Sequence, residues 1–174
     1  LYLEDYRKFA REVTDELDDI KVIWEPFSKA TLRGFQTPEA INLFATPLER
    51  LKELRSIIIQ EIDLYFSKFR NKPCLFIEKW PSRKNLRGWH VILKNGGYQR
   101  PHIHPDGWLS GVIYLKVVPT LGRDEGAIEF SLNGRNYSDS TSPKFTYQPK
   151  LGDILLFPSS LHHRTIPFTT QSDR

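Results

Sequence analysis

A change of period near residue 73 divides this chain. Before it, Tyr2, Tyr6, Phe9 and Val13 recur at helical spacing between charged residues, as one buried helix face requires. Residues 21–44 are of mixed character, broken by Pro26, Gly34 and Pro38. Thr46-Pro47-Leu48-Glu49 then predicts a helix start: Thr46 can cap, Pro47 suits the first helical position and Glu49 can reach back. Leu48, Leu51, Ile58, Ile62 and Tyr65 carry an apolar stripe down to about Phe69, and Asn71-Lys72-Pro73 ends it. From Cys74 onward the apolar residues fall in short strand-like runs. Residues 86–94 alternate and stop at Asn95-Gly96-Gly97, a turn signal, and runs at 109–118, 127–132, 145–148, 154–157 and 163–168 follow. Asn133-Gly134 marks another tight turn. Helices first and strands after predict an α+β fold whose strands form a sandwich or barrel. Within one structural domain, residues 1–73 are the helical support and residues 74–174 the strand core.

The 174 residues suffice for one domain with its own core. The apolar share of 39% and charged share of 26% are those of a globular protein, and the net charge of +4 reads first as a solvated basic surface. No basic stripe interleaves with aromatics, so no nucleic-acid partner is expected. Cys74 is the one cysteine, which excludes an intrachain disulfide and a cysteine-rich zinc site and fits a reducing compartment. The charged opening is no secretory signal, and the densest apolar cluster, residues 56–60, is too short to span a bilayer. A cytoplasmic protein with no membrane contact is expected. With Leu at position 1 and no methionine, the chain reads as a piece of a longer polypeptide.

Four of the five histidines fall in two clusters on strand edges. In Pro101-His102-Ile103-His104-Pro105-Asp106 an extended backbone points residues 102, 104 and 106 to one side, so two imidazoles, or an imidazole and a carboxylate, can converge on a metal. The second cluster, Leu161-His162-His163-Arg164, follows the strand-like 152–157 and supplies a distant third ligand. Three ligands on one face of an octahedron leave positions open for co-substrate and oxygen, as in non-haem iron oxygenases. Arg174, eleven positions beyond His163, strengthens the pattern. His90 stands alone in a strand-like run and reads as a hydrogen-bonded structural histidine.

Residues 89–115, which contain both His102 and His104, resemble the core of the 2-oxoglutarate–iron(II) oxygenases often found behind tetratricopeptide repeats. Glu125-Gly-Ala-Ile-Glu-Phe130 and residues 152–168 resemble the family's later blocks, and Leu3-Glu-Asp-Tyr6 and residues 31–37 its leader. The resemblance implies a double-stranded β-helix, a cupin-like jelly-roll with the iron between two facing sheets and the N-terminal helices packed on it. It implies an iron(II)- and 2-oxoglutarate-dependent hydroxylase that consumes O2 and yields succinate and CO2. His102 and His104 match the first metal motif and His163, rather than His162, the distal histidine; these three are the implied catalytic ligands. Arg174 matches the arginine that binds the far carboxylate of 2-oxoglutarate, for which a planar guanidinium is suited. The usual set has two histidines and one carboxylate, so His104, Asp106 and His163 stand as the alternative ligand set. The family continues into another core strand after the position of Arg174. Besides the small-molecule co-substrate, a protein or peptide substrate is implied where repeats precede the domain.

Trp89, Tyr98, Trp108 and Tyr114 flank the motif; they are expected in the core, with the substrate mouth as the other reading. Ser110 lacks the context of a nucleophile elbow, and residues 82–87 read as a solvated basic loop. Two further readings compete with the oxygenase: a cupin-like metalloprotein that does not use 2-oxoglutarate, and a non-catalytic domain acting in protein interaction.

Overall fold

The computed structural model describes residues 5–119, 122–134, 137 and 139–170, which leaves Tyr2 and Arg174 outside. Helix α1 (Tyr6–Asp18) starts where Asp5 accepts the Lys8 N–H at 2.9 Å, and it buries Phe9, Ala10, Val13 and Leu17 along one face. Helix α2 (Glu49–Phe69) buries Leu51, Leu54 and Ile58. Its start differs from the expected capping box. Its N-cap is Leu48, which makes no side-chain cap bond, and Thr46 closes a 3₁₀ turn at Leu43–Ala45 by donating to Leu43 O at 2.7 Å. The cap comes from the other helix: Glu16 accepts the Arg50 and Leu51 N–H groups at 2.9 and 3.0 Å. A carboxylate at this positive helix end is favourable twice, as acceptor for orphan donors and as counter-charge to the dipole.

The two helices share one core, built from Phe9, Val13, Leu17, Leu43, Leu51, Leu54 and Ile58, and Ile113 and Leu115 of the strand half pack against it. Leu51 is 1% exposed. Burying each such side chain contributes roughly 1.5–3 kcal/mol.

Strand pairing crosses the divide expected at residue 73. Strands β1 (Ile23–Trp24) and β2 (Thr31–Gln36) lie in the mixed segment, and β2 pairs antiparallel with β3 (Val91–Gln99). A four-residue helix α3 (Leu75–Glu78) opens the second part. Asn95-Gly96-Gly97 does not turn the chain. Strand β3 runs through it as a bulge: between the pairs Leu32↔Tyr98 and Gly34↔Leu93, Arg33 stands opposite residues 94–97. Gly96 has φ +73°, and a Cβ on Gly97 would lie 2.7 Å from Arg33 O and from Lys94 O. Only glycine fits such a bulge, and the turn signal had the right chemistry for the wrong structure. The bulge turns the Gly96 N–H towards Phe168 O, at 2.8 Å.

Two further sheets carry the remaining strands. β4 (Leu109–Ile113) pairs with β7 (Ile154–Pro158), and β5 (Ile128–Ser131) lies between β6 (Lys144–Tyr147) and β8 (His162–Thr165), all antiparallel. β4 and β8 stop well short of the expected 118 and 168. Ile128, Phe130 and Phe157 form a second core between these sheets, with Tyr147, Leu155 and Leu161 against it. No helix among the described residues is long and apolar enough to cross a membrane.

Candidate metal centre

His102 and His163 meet because their backbones pair. Each donates its N–H to the other's carbonyl, at 3.0 and 3.1 Å, in a single antiparallel bridge between the 100–104 segment and β8. The ring centroids of the two are 4.2 Å apart. His104, two residues on, joins from the same side, its ring 5.0 Å from each of the others. One nitrogen from each histidine lies within 4.8 Å of those of the other two. A spacing of that order allows three lone pairs to converge on one cation.

The local hydrogen bonds select the tautomers. His102 Nδ1 lies 2.7 Å from Arg100 O and His163 Nδ1 3.0 Å from Leu161 O. A carbonyl only accepts, so each Nδ1 carries the proton and each Nε2 keeps its lone pair. Carbonyls that hold ligating imidazoles in this way fix ring orientation and raise donor strength. Burial also keeps the rings neutral. His163 is buried, in contact with Phe157 at 4.7 Å between centroids and with Phe130 at 6.3 Å. Burial first, and the His102 charge second, push His163 and His104 down to about 4. His102 is lowered too, mainly by burial. Three imidazoles near one another and unprotonated at neutral pH fit a divalent transition metal such as iron(II).

Asp106 does not join them. Gly107 N–H donates to His104 O at 3.0 Å, closing a tight turn over Pro105 and Asp106 that leaves the Asp106 side chain exposed. Residue 106 shares the side of 102 and 104 only on extended backbone, and the chain turns after 104. His162 faces the other way, its ring against Gly134. Arg174 lies outside the described residues. The neighbouring Arg164 is engaged elsewhere, donating to Glu129 through Nε at 2.8 Å and a second nitrogen at 3.3 Å. His90, read as a hydrogen-bonded histidine, has a buried Nδ1 with no hydrogen-bond partner among the described residues, although its backbone pairs with Thr37. Burial lowers its pKa.

Of the four flanking aromatics, Trp89 and Trp108 are exposed rather than core, at 40% and 39%. Trp89 lies 5.3 Å from the His104 ring, and Trp108 stacks on Phe76 at 5.5 Å. Tyr98 and Tyr114 are half-buried. Phe130 and Phe157, which wall His163, were not singled out from sequence. Phe130 stands opposite His163 through the β5–β8 register, and only that register reveals the contact.

Residues 87–174 match the family described as "Putative 2OG-Fe(II) oxygenase". The chain is also similar to the crystal structure of a Pseudomonas putida prolyl-4-hydroxylase, with a TM-score of 0.59 and 14% sequence identity over 97% of this chain and 81% of that one. At that identity the likeness establishes a shared fold. Comparison with curated proteins gives no match.

Proposed function

Because the chain belongs to the 2OG-Fe(II) oxygenase family, a group that works with Fe(II), 2-oxoglutarate and O2, we propose that it is a dioxygenase that hydroxylates a peptide, protein or small-molecule substrate and releases succinate and CO2. The observation that carries this reading is the convergence of three neutral imidazoles, two of them held through Nδ1 by backbone carbonyls. In this reading His102, His104 and His163 hold the metal and Asp106 does not, while Arg174 receives the far carboxylate of 2-oxoglutarate. Bound iron(II) would supply the redox chemistry with oxygen that couples decarboxylation of 2-oxoglutarate to oxidation of a substrate C–H bond.

The remaining work falls to the chain itself. Arg100 O and Leu161 O aim the Nε2 lone pairs of His102 and His163. Phe130 and Phe157 exclude water behind His163. Trp89 beside His104 offers an exposed apolar surface where a substrate can rest. The prolyl hydroxylase among its structural neighbours supports a peptide substrate. The strands of 74–174 are read as a double-stranded β-helix, with 1–73 as its support and β2 of that part added at the β3 edge. Cys74, free and exposed, fits the cytoplasm.

The all-histidine cluster also favours a second reading, a cupin-like metal-binding domain that does not use 2-oxoglutarate. Incubation with Fe(II), 2-oxoglutarate and air separates the two. The oxygenase is expected to form succinate above the protein-free rate, with Asp106→Ala active and His102→Ala and His163→Ala inactive. Stoichiometric iron binding with no succinate formed would favour the cupin-like domain.

A further inference from the structure

We propose that Ser159, together with Ser110 and Gly107, is a positioning clamp that sets His104 in the metal cluster, an inference that rests on the metal-binding reading above. His104 is the member whose placement needs explaining. His102 and His163 each have a ring nitrogen held by a carbonyl, whereas no ring hydrogen bond holds His104 among the described residues. Its direction therefore follows from its backbone.

That backbone is fastened to one residue. His104 N–H donates to Ser159 O at 3.0 Å, and Ser159 N–H donates to Trp108 O at 3.0 Å, so Ser159 grips both ends of the turn from 104 to 108. Its hydroxyl lies 2.7 Å from the hydroxyl of Ser110 on β4. The middle of the turn rests on the same group: a Cβ on Gly107 would stand 2.6 Å from Ser159 Oγ. Ser159 is 1% exposed, a buried polar residue just past β7 whose backbone N–H and C=O both serve this turn while its hydroxyl ties it to β4. At the far end, Trp108 Nε1 donates to Phe76 O at 3.2 Å, which holds the turn from the α3 side. Loss of either hydroxyl leaves the other partner half-satisfied in a buried place, and a loosened turn moves the one ligand that has no ring bond of its own.

The test is titration of Co(II) alone into the metal-free full chain, reading affinity and the visible ligand-field spectrum, with the thermal midpoint of each metal-free variant measured alongside. Ser159→Ala is expected to weaken Co(II) binding about tenfold and to alter the spectrum, while the metal-free midpoint moves by only a few degrees. Gly107→Ala is expected to weaken binding as well. Adding Ser159→Ala to it should restore part of the loss, since the nearest side-chain atom is then Ser159 Cβ, 3.3 Å from the new methyl. If Ser159→Ala does not fold, Ser110→Ala removes the same hydroxyl pair from the other side. Wild-type affinity and spectrum in the serine variants would overturn the clamp alone. Failure of the unsubstituted chain to bind Co(II) would overturn the metal-binding reading, and the clamp with it.

Discussion

At the scale of single residues, the centre depends on imidazoles that folding keeps unprotonated. His104 and His163 are lowered from the ordinary 6.5 to about 4, by burial first and by the neighbouring His102 second. In the unfolded chain the same groups take up protons near 6.5, so between about 4 and 6.5 the unfolded state binds more protons than the folded one. Stability of the metal-free protein is therefore fully present above that window and is lost as pH falls through it. In chelator, the thermal midpoint should fall as pH drops below 6.5, and His104→Asn should flatten the decline; a midpoint independent of pH over this range would refute the assignment. The sequence shows these histidines plainly, because His102-x-His104 is a local spacing and His163 stands in a second short histidine cluster. The exclusion of Asp106 from the cluster is not local, since it follows from a turn at 104–107 whose anchor is Ser159, fifty-odd residues on.

Elements were legible where one face repeats and obscure where a partner decides. The stripes of α1 and α2 have the spacing that buries Phe9, Val13, Leu51 and Ile58, and the turn-bounded runs mark β5, β6 and β7. The start of α2 was misread because the cap arrives from α1, and the glycines at 96 and 97 because a bulge and a hairpin ask for the same residues. The cap gives a direct prediction at this scale. Glu16→Gln keeps the size and one acceptor oxygen but removes the charge at the α2 N-terminus, and it should cost about 1–2 kcal/mol of unfolding free energy in urea. A cost near zero would mean that the first turn of α2 is satisfied by solvent. Strand pairing across residue 73 escaped the sequence reading altogether, because β2 is short and its partner β3 lies far along the chain.

Over the whole molecule, the helices and the strands have separate cores, and Ile113 and Leu115 of the strand half pack against the helical one. The metal cluster belongs to the strand core, walled by Phe130 and Phe157, while Leu51 lies in the helical one. Leu51→Ala should therefore cost about 2–5 kcal/mol of stability and leave the Fe(II) affinity of the folded protein unchanged, as denaturant unfolding and metal titration would show. A weakened affinity would mean that the helical part shapes the site rather than only supporting it. An iron centre of three histidines that also takes 2-oxoglutarate should declare itself on anaerobic addition of Fe(II) and 2-oxoglutarate, followed by the visible metal-to-ligand charge-transfer absorption. A band is expected in the unsubstituted protein and in Asp106→Ala, and none in His163→Ala. Iron binding without a band, or a band that survives in His163→Ala and vanishes in Asp106→Ala, would rule out a three-histidine centre that takes 2-oxoglutarate.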